Sequence, residues 1–181
     1  MKKLRAFSLL LAALALLAVA PVQATTLAKY QEKTTRKVGE SRLTWLVWDV
    51  YDAALYAPTG RFQATQPYVL ELTYLRALDG AKVAAKAREE MVRLGFRDEA
   101  KLAKWQLQLT DWFQGIEKGT RLAAMRNADG STTFVRNGKT VLGTLPDPQF
   151  GQYFFAIWLS ERSLRPDLRR QLLGFKEVAT R

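Results

Sequence analysis

The sequence predicts an α+β domain built on a largely antiparallel sheet. Strand-like segments rich in β-branched and aromatic residues come first, two segments of helical period follow, and three short strands and two further helices complete the chain. Strands and helices are therefore grouped instead of alternating one by one, as they would in a parallel βαβ protein. Neither an internal repeat nor a low-complexity linker interrupts the chain, so we expect one domain.

Residues 1–24 are predicted to be a secretory signal peptide. A basic start at Met1–Arg5 precedes an apolar run over residues 6–20, and Val22-Gln23-Ala24 provides the small residues of a cleavage site. The run is shorter than the roughly 20 residues that span a bilayer. We expect cleavage after Ala24, export to a bacterial periplasm and no transmembrane span in the mature chain; an uncleaved membrane anchor is the alternative.

Two strands, or one long bent strand, are predicted near the start of the mature chain. Residues 25–36 are polar and without period, which indicates a loose N-terminal arm ahead of a domain over residues 37–181. Residues 42–48 and 50–56 are rich in β-branched and aromatic side chains, as strands are. Pro58-Thr59-Gly60 then predicts a turn. The alternation over residues 68–74 predicts a third strand.

A switch to helical period follows this strand. Asp79 and Asp98 are suitable N-caps for two helices. Their apolar stripes run through Val83, Ala87, Met91 and Leu94, and through Leu102, Trp105, Leu109, Trp112 and Ile116. Such stripes usually face a core.

Two hairpins and two helices are predicted for the last part of the domain. Asp129-Gly130 and Asn137-Gly138 suit the tight turns of a three-stranded meander. Asp147-Pro148 is a cap followed by Pro at the first helical position. The stripe of this helix is Phe150, Phe154, Ile157 and Trp158, and we expect Trp158 to be buried between helix and sheet; Pro166 opens the last helix, which Gly174 ends.

Composition excludes several classes of chemistry. The chain contains neither His nor Cys, which removes disulfides, thiolate nucleophiles, Ser-His-Asp triads, His-bearing zinc sites and His-ligated haem. No phosphate loop or dinucleotide fingerprint is present. We therefore expect no cofactor and no metal.

The net charge is +11, from 28 Lys and Arg residues against 17 Asp and Glu residues. A charge of this sign attracts anionic ligands and anionic membrane surfaces. Nucleic acid is not expected as a partner, because the protein is predicted to be exported and its basic residues are dispersed along the chain.

The first three strands carry the candidate ligand-binding residues. Arg42 precedes a very apolar run, Tyr51 and Tyr56 lie in the next strand, and Tyr74 and Arg76 close the third. An Arg at the mouth of an apolar cleft could hold a carboxylate through its planar fork. The alternative for each Arg is an ordinary exposed position on a strand.

Two stretches at the start of the domain and several later residues follow the pattern of a known protein family. Residues 38–42 read Val-Gly-Glu-Ser-Arg, and residues 50–56 form a strand with an aliphatic-Tyr pair at its end. The later agreement comprises Asn137-Gly138, Gly143, Asp147, Phe150, Ile157-Trp158-Leu159 and Leu172-Leu173-Gly174. Over roughly residues 37–174 the chain is similar to small exported bacterial chalcone-isomerase-like proteins.

The resemblance implies an open-faced β-sandwich, with a ligand cleft between a large antiparallel sheet and the helices over one of its faces. In the plant enzymes this cleft cyclises a chalcone with an Arg, a Thr and a Tyr. Arg42 matches the Arg, whereas the Thr position falls on Tyr51 and the Tyr position falls near Leu78 or Asp79. In the fatty-acid-binding branches of the family, the Arg holds a carboxylate.

We therefore hypothesise a non-catalytic periplasmic protein that binds a small amphipathic molecule such as a fatty acid. The first alternative is an intramolecular lyase or isomerase of chalcone isomerase type, with Arg42 as electrophile and Tyr51 as proton relay. The second is a haem-binding protein, because the family that the chain resembles includes mitochondrial members for which haem binding is a possibility. Without His, haem would need a Tyr or Met ligand.

Overall fold

The structure is a computed structural model that describes residues 36–175. Its strands are β1 (Arg36–Trp45), β2 (Trp48–Ala57), β3 (Tyr68–Tyr74), β4 (Arg121–Arg126), β5 (Thr132–Arg136) and β6 (Thr140–Leu145). Its helices are α1 (Gly80–Arg93), α2 (Glu99–Trp112), α3 (Pro148–Leu159) and α4 (Pro166–Leu172). The predicted signal peptide and residues 25–35 of the predicted arm lie outside the described residues, and Arg36 belongs to β1.

The six strands form one antiparallel sheet in the order of the sequence, β1 to β6. Tyr68, Leu70, Leu72 and Tyr74 alternate along β3 and are buried beneath the helices. Ring contacts such as that of Tyr68 with Phe155 of α3, 4.8 Å between centroids, join the two layers. The predicted α+β class and antiparallel sheet are therefore confirmed.

Three aspartates begin the longer helices, as predicted. The Asp79 carboxylate accepts from the backbone N–H groups of Ala81 and Lys82, and Asp98 and Asp147 each accept one such bond from their own first turns. Each cap satisfies donors that have no partner within the helix.

The β5–β6 hairpin turns at Asn137-Gly138, with φ of 52° and 67° at these two residues. Positive φ at both positions defines a type I′ turn, which matches the twist of the strands. The β1–β2 hairpin turns at Leu46-Val47 instead, within the predicted strand 42–48. The choice left open between two strands and one bent strand is thus resolved as two strands, with the turn in an unexpected place.

Helix α4 packs closely on β1. A Cβ atom on Gly39 would overlap the backbone carbonyl oxygens of Gln171 and Leu172, so only glycine fits this crossing. The Ser41 hydroxyl donates to the side-chain oxygen of Gln171 over 2.7 Å. The first described strand is thereby fixed to the last helix.

Candidate functional site

A cavity of about 560 Å³ lies between the inner face of the sheet and the helices. Its sheet side is formed by Leu43, Leu70, Leu72, Leu122, Ala124 and Phe134. Its helix side is formed by Val83, Ala87, Phe154, Ile157, Trp158 and Leu168. A mostly apolar space of this volume falls within the range of small-molecule sites, about 300–1,000 Å³.

Two tyrosine hydroxyls provide polar atoms in the wall of this cavity. Tyr51 of β2 and Tyr74 of β3 are neighbours across the sheet, with their rings edge to face at 6.1 Å between centroids. The indole Nε1 of Trp158 donates to the Tyr51 oxygen over 2.9 Å. Neither tyrosine donates its own hydroxyl hydrogen to an acceptor among residues 36–175, so both hydrogens remain available for a ligand.

Burial keeps these two phenols protonated to a higher pH than an exposed tyrosine. Loss of solvent raises the pKa of Tyr51 to about 12, against the smaller lowering effects of the Trp158 hydrogen bond and of Arg165. Burial also raises the pKa of Tyr74. A phenol that stays protonated can donate a hydrogen bond to an anionic group, whereas a phenolate would repel it.

Arg165 places a positive charge at the edge of the cavity, in the loop between α3 and α4. Its Nε and Nη2 donate to the Asp167 carboxylate at 3.2 and 2.8 Å, and its Nη1 donates to the Thr44 carbonyl oxygen at 3.3 Å. A guanidinium has five N–H donors. These bonds leave donors that can serve a ligand, and the charge lies near enough to Tyr51 to affect its pKa.

The mouth of the cavity combines exposed apolar and basic side chains. Trp45 and Leu164 line the cavity and are also exposed to solvent. Lys82 and Lys86 lie one turn apart on α1, at the same opening. Lys86 is paired with Glu89 and Glu90, whereas the Lys82 ammonium forms no ion pair or hydrogen bond within the described part of the chain.

Of the predicted site residues, Tyr51 and Tyr74 line the cavity, and Arg42, Tyr56 and Arg76 do not. The expectation that Arg42 lies at the mouth of the cleft needs correction. Arg42 is opposite Asp52 in the β1–β2 pairing, on the face of the sheet turned away from the helices. Its guanidinium is exposed and forms ion pairs with Asp52 at 2.6 Å and Asp49 at 3.1 Å.

Tyr56 and Arg76 are also outside the cavity. Along β2 the buried residues are Ala53, Leu55 and Ala57, so Tyr56 is directed to the opposite face. Arg76 is exposed beyond the end of β3, with its guanidinium carbon 5.2 Å from the ring centroid of Trp48.

Two functional side chains were missed or misplaced by the sequence analysis. Trp158 was predicted to be buried between helix and sheet; it lies there but is only partly buried, because its ring forms part of the cavity wall and its nitrogen donates to Tyr51. Nothing in the sequence pattern marks Arg165 as a site residue except its position before Pro166, because residues between helices follow no hydrophobic period. Its place at the cavity depends on how α3 and α4 pack.

The cavity wall fits haem poorly. A tyrosine can hold haem iron as its phenolate, but burial favours the protonated form of Tyr51 and Tyr74, and the Tyr51 oxygen already accepts from Trp158. Met91 and Met125 do not line the cavity. Among residues 36–175 there is also no group of three or more acidic side chains placed to hold a metal ion.

An antiparallel sheet with helices over one face and an apolar cavity between them defines an open-faced sandwich with a ligand-sized interior. The chain belongs to the chalcone isomerase-like family, whose model matches residues 22–174. This finding agrees with the resemblance noted in the sequence. None of the helices between residues 36 and 175 has the length and hydropathy of a membrane span.

Two proteins are similar to this chain, one in sequence and one in structure. An uncharacterised protein of Haemophilus influenzae is 29% identical over 138 residues, which is 76% of this chain and 67% of that protein. A crystal structure of an Arabidopsis thaliana fatty-acid binding protein superposes with a TM-score of 0.63 at 13% identity. The match covers 78% of this chain and 87% of the plant chain, and it shows a common fold.

Proposed function

We propose that this protein binds an amphipathic monocarboxylate of the fatty-acid class without converting it. The observation that carries the proposal is the apolar cavity, in whose wall two neutral tyrosine hydroxyls and one guanidinium occur together. A ligand with an apolar tail and a charged head requires apolar walls and polar groups in the same site.

The apolar walls suit the tail of the ligand. Leucine, phenylalanine and alanine side chains of the sheet face apolar side chains of α1 and α3 across the cavity. Each methylene group removed from water there contributes about 0.8 kcal/mol. Affinity should therefore rise with chain length until the cavity is full.

The polar atoms suit the carboxylate head. Tyr51 is held by Trp158 through its oxygen, which leaves its hydrogen to be donated. Tyr74 has an unused hydroxyl close by, and Arg165 supplies charge and further N–H donors. Hydrogen bonds in which one partner is ionised are roughly twice as strong as neutral ones.

Relationship to known proteins supports the same class. The Arabidopsis thaliana protein with this fold is a fatty-acid binding protein. The lyase alternative required Arg42 and Tyr51 in one cleft, and these residues lie on opposite faces of the sheet. Binding is therefore favoured over catalysis. We further propose that the protein acts in a bacterial periplasm, after removal of residues 1–24.

Titration with a long-chain fatty acid and with the alcohol of equal length tests the proposal. The acid should bind more tightly, because only the acid brings a negatively charged head group to Tyr51, Tyr74 and Arg165. Val83→Trp should fill the cavity and weaken binding at least about tenfold. Val92→Trp is the matched control, because Val92 is on the same helix but outside the cavity.

The proposal fails if the wild type binds neither compound, or if Val83→Trp binds as well as Val92→Trp while melting curves show both to be folded. Chalcone added to the same samples measures the alternative activity. Cyclisation well above the spontaneous rate would favour the lyase over the binding protein.

A further inference from the structure

The tip of the β1–β2 hairpin is the most exposed apolar surface of the described chain. Trp45, Leu46, Val47 and Trp48 follow one another there, with 68%, 84%, 83% and 59% of their surface exposed. Single exposed apolar residues are ordinary, but a contiguous patch of this kind marks a contact surface.

The backbone of this tip is also unfavourable for its residues. Leu46 has a φ of 55°, whereas Val47 is not in the positive region, which is the pattern of a type II′ turn. Glycine is preferred at the first of these positions, because a Cβ atom is strained there. A Leu-Val pair thus occupies a turn where a polar pair with glycine would stabilise the hairpin more.

The tip borders the opening of the cavity. Trp45 belongs both to the tip and to the cavity lining, and the exposed Leu164 lines the cavity from the loop before α4. The bond from Arg165 to the Thr44 carbonyl oxygen holds the two sides together. A surface that accepted the tip would therefore lie directly over the entrance to the proposed site.

Two cations without carboxylate partners accompany this surface. Arg76 stacks on the Trp48 ring at 5.2 Å, and Lys82 lies at the cavity mouth. Neither forms an ion pair within residues 36–175, and residues 25–181, with 25 Lys and Arg against 17 Asp and Glu, carry a net charge of +8. Both are thus available to anionic groups at the level of the tip, and the overall charge favours approach to an anionic surface.

We propose that the Trp45–Trp48 tip inserts into the headgroup region of an anionic lipid bilayer, so that the cavity receives its ligand directly from the membrane. This inference rests on the proposed function. Tryptophan is enriched at membrane–water interfaces, and aliphatic residues between two tryptophans would reach the acyl boundary. Arg76 and Lys82 would then meet lipid phosphates.

Vesicle sedimentation tests this docking. The protein, as its host processes it, is mixed with vesicles of phosphatidylglycerol and phosphatidylcholine or of phosphatidylcholine alone. The wild type should partition onto the anionic vesicles, and its tryptophan fluorescence should shift to the blue. Leu46→Gly with Val47→Asn should reduce partitioning at least about tenfold, while the melting temperature stays equal or rises, since Gly-Asn suits the turn.

Leu107→Ser is the matched control. Leu107 is 72% exposed on α2 and does not line the cavity, so its loss should leave partitioning as in the wild type. Fatty-acid titration without vesicles reports on the proposed function alone, and the tip variant should bind in that assay as the wild type does.

Three outcomes overturn the docking proposal. The wild type could fail to bind anionic vesicles although it binds fatty acid in solution. The tip variant could partition as well as the wild type. The tip variant could change only the oligomeric state seen by light scattering, which would make a second copy of the chain the partner.

Discussion

The indole nitrogen of Trp158 donates a hydrogen bond of 2.9 Å to the hydroxyl oxygen of Tyr51, and this bond joins helix α3 to strand β2 in the cavity wall. The acceptor side of Tyr51 is thereby occupied, so its hydrogen can be directed at a ligand. Trp158 therefore acts as a positioning residue for the proposed head-group site.

Replacing Trp158 by Phe should weaken fatty-acid binding by about 2- to 13-fold, the equivalent of one hydrogen bond of about 0.5–1.5 kcal/mol. The ring still fills most of the wall, so the fold should persist. Trp112→Phe is the control, because Trp112 packs in the core outside the cavity. Equal affinities of the two variants, measured by titration, would contradict the assigned role.

Arg165 and Arg42 should differ sharply in their contribution to binding. Truncating Arg165 to Ala removes a charged partner from a partly desolvated site, for which losses of about 2–5 kcal/mol are typical, or roughly 30- to 4,000-fold in affinity. Arg165→Lys should recover only part of this loss, since an ammonium lacks the planar fork.

Arg42→Ala should leave fatty-acid affinity unchanged, because Arg42 is exposed on the other face of the sheet with Asp49 and Asp52. Titration of the three Arg variants, with melting curves alongside, decides the assignment. A large loss with Arg42→Ala and none with Arg165→Ala would restore the Arg42 hypothesis.

Stability at alkaline pH should depend on the cavity tyrosines. Burial raises the pKa of Tyr51 from 10.0 to about 12, so the folded state retains a proton that the unfolded state loses above pH 10. The free energy of unfolding is then unaffected below pH 10 and falls as the pH rises toward 12, by up to about 1.4 kcal/mol per pH unit for this group. Urea unfolding across this range should show a shallower decline for Tyr51→Phe; identical slopes would refute the role of burial.

Gly39→Ala should destabilise the domain by about 1–3 kcal/mol, the usual penalty of overpacking, because the added methyl group would overlap the backbone of α4. Glu40→Ala is the neighbouring control, since Glu40 is exposed and, among residues 36–175, is paired only with Lys37. Urea unfolding compares the two. If Gly39→Ala were as stable as Glu40→Ala, the close packing of β1 on α4 would be disproved.

The mature protein should begin at Thr25, because Val22-Gln23-Ala24 fits the small-residue rule of signal cleavage. Intact-mass measurement of protein recovered from the periplasm checks this. A mass that includes residues 1–24 would instead indicate an uncleaved anchor.

The order of the elements and the beginnings of three helices could be predicted, because these features depend on residues close together in sequence. Asp79, Asp98 and Asp147 each bind N–H groups within their own first turn. The Leu46-Val47 turn could not be predicted, since it contains no Gly, Asn, Asp or Pro. It is defined only by the pairing of Trp45 with Trp48 across the hairpin.

The candidate site could be predicted only in part. Tyr51 and Tyr74 lie on strands whose alternation places them beside apolar core residues. The pairing runs without a register shift from Gly39 to Leu43, so Arg42 alternates with the core-facing Leu43, and the Arg42 hypothesis assigned it to the wrong face. A displacement of one residue reverses the face of every side chain in a strand.

The contact between β1 and α4 also has a consequence for the order of folding. Synthesis delivers β1 before α4, and the proposed export would do the same, yet these two elements pack directly on one another at Gly39 and Gln171. Neighbouring strands can pair earlier than distant segments. The β1 edge of the sheet therefore stays uncovered until α4 is free to pack on it. With the proposed export, we expect the cavity to be completed only in the compartment where the whole chain has arrived, so that its first occupant is taken from that compartment.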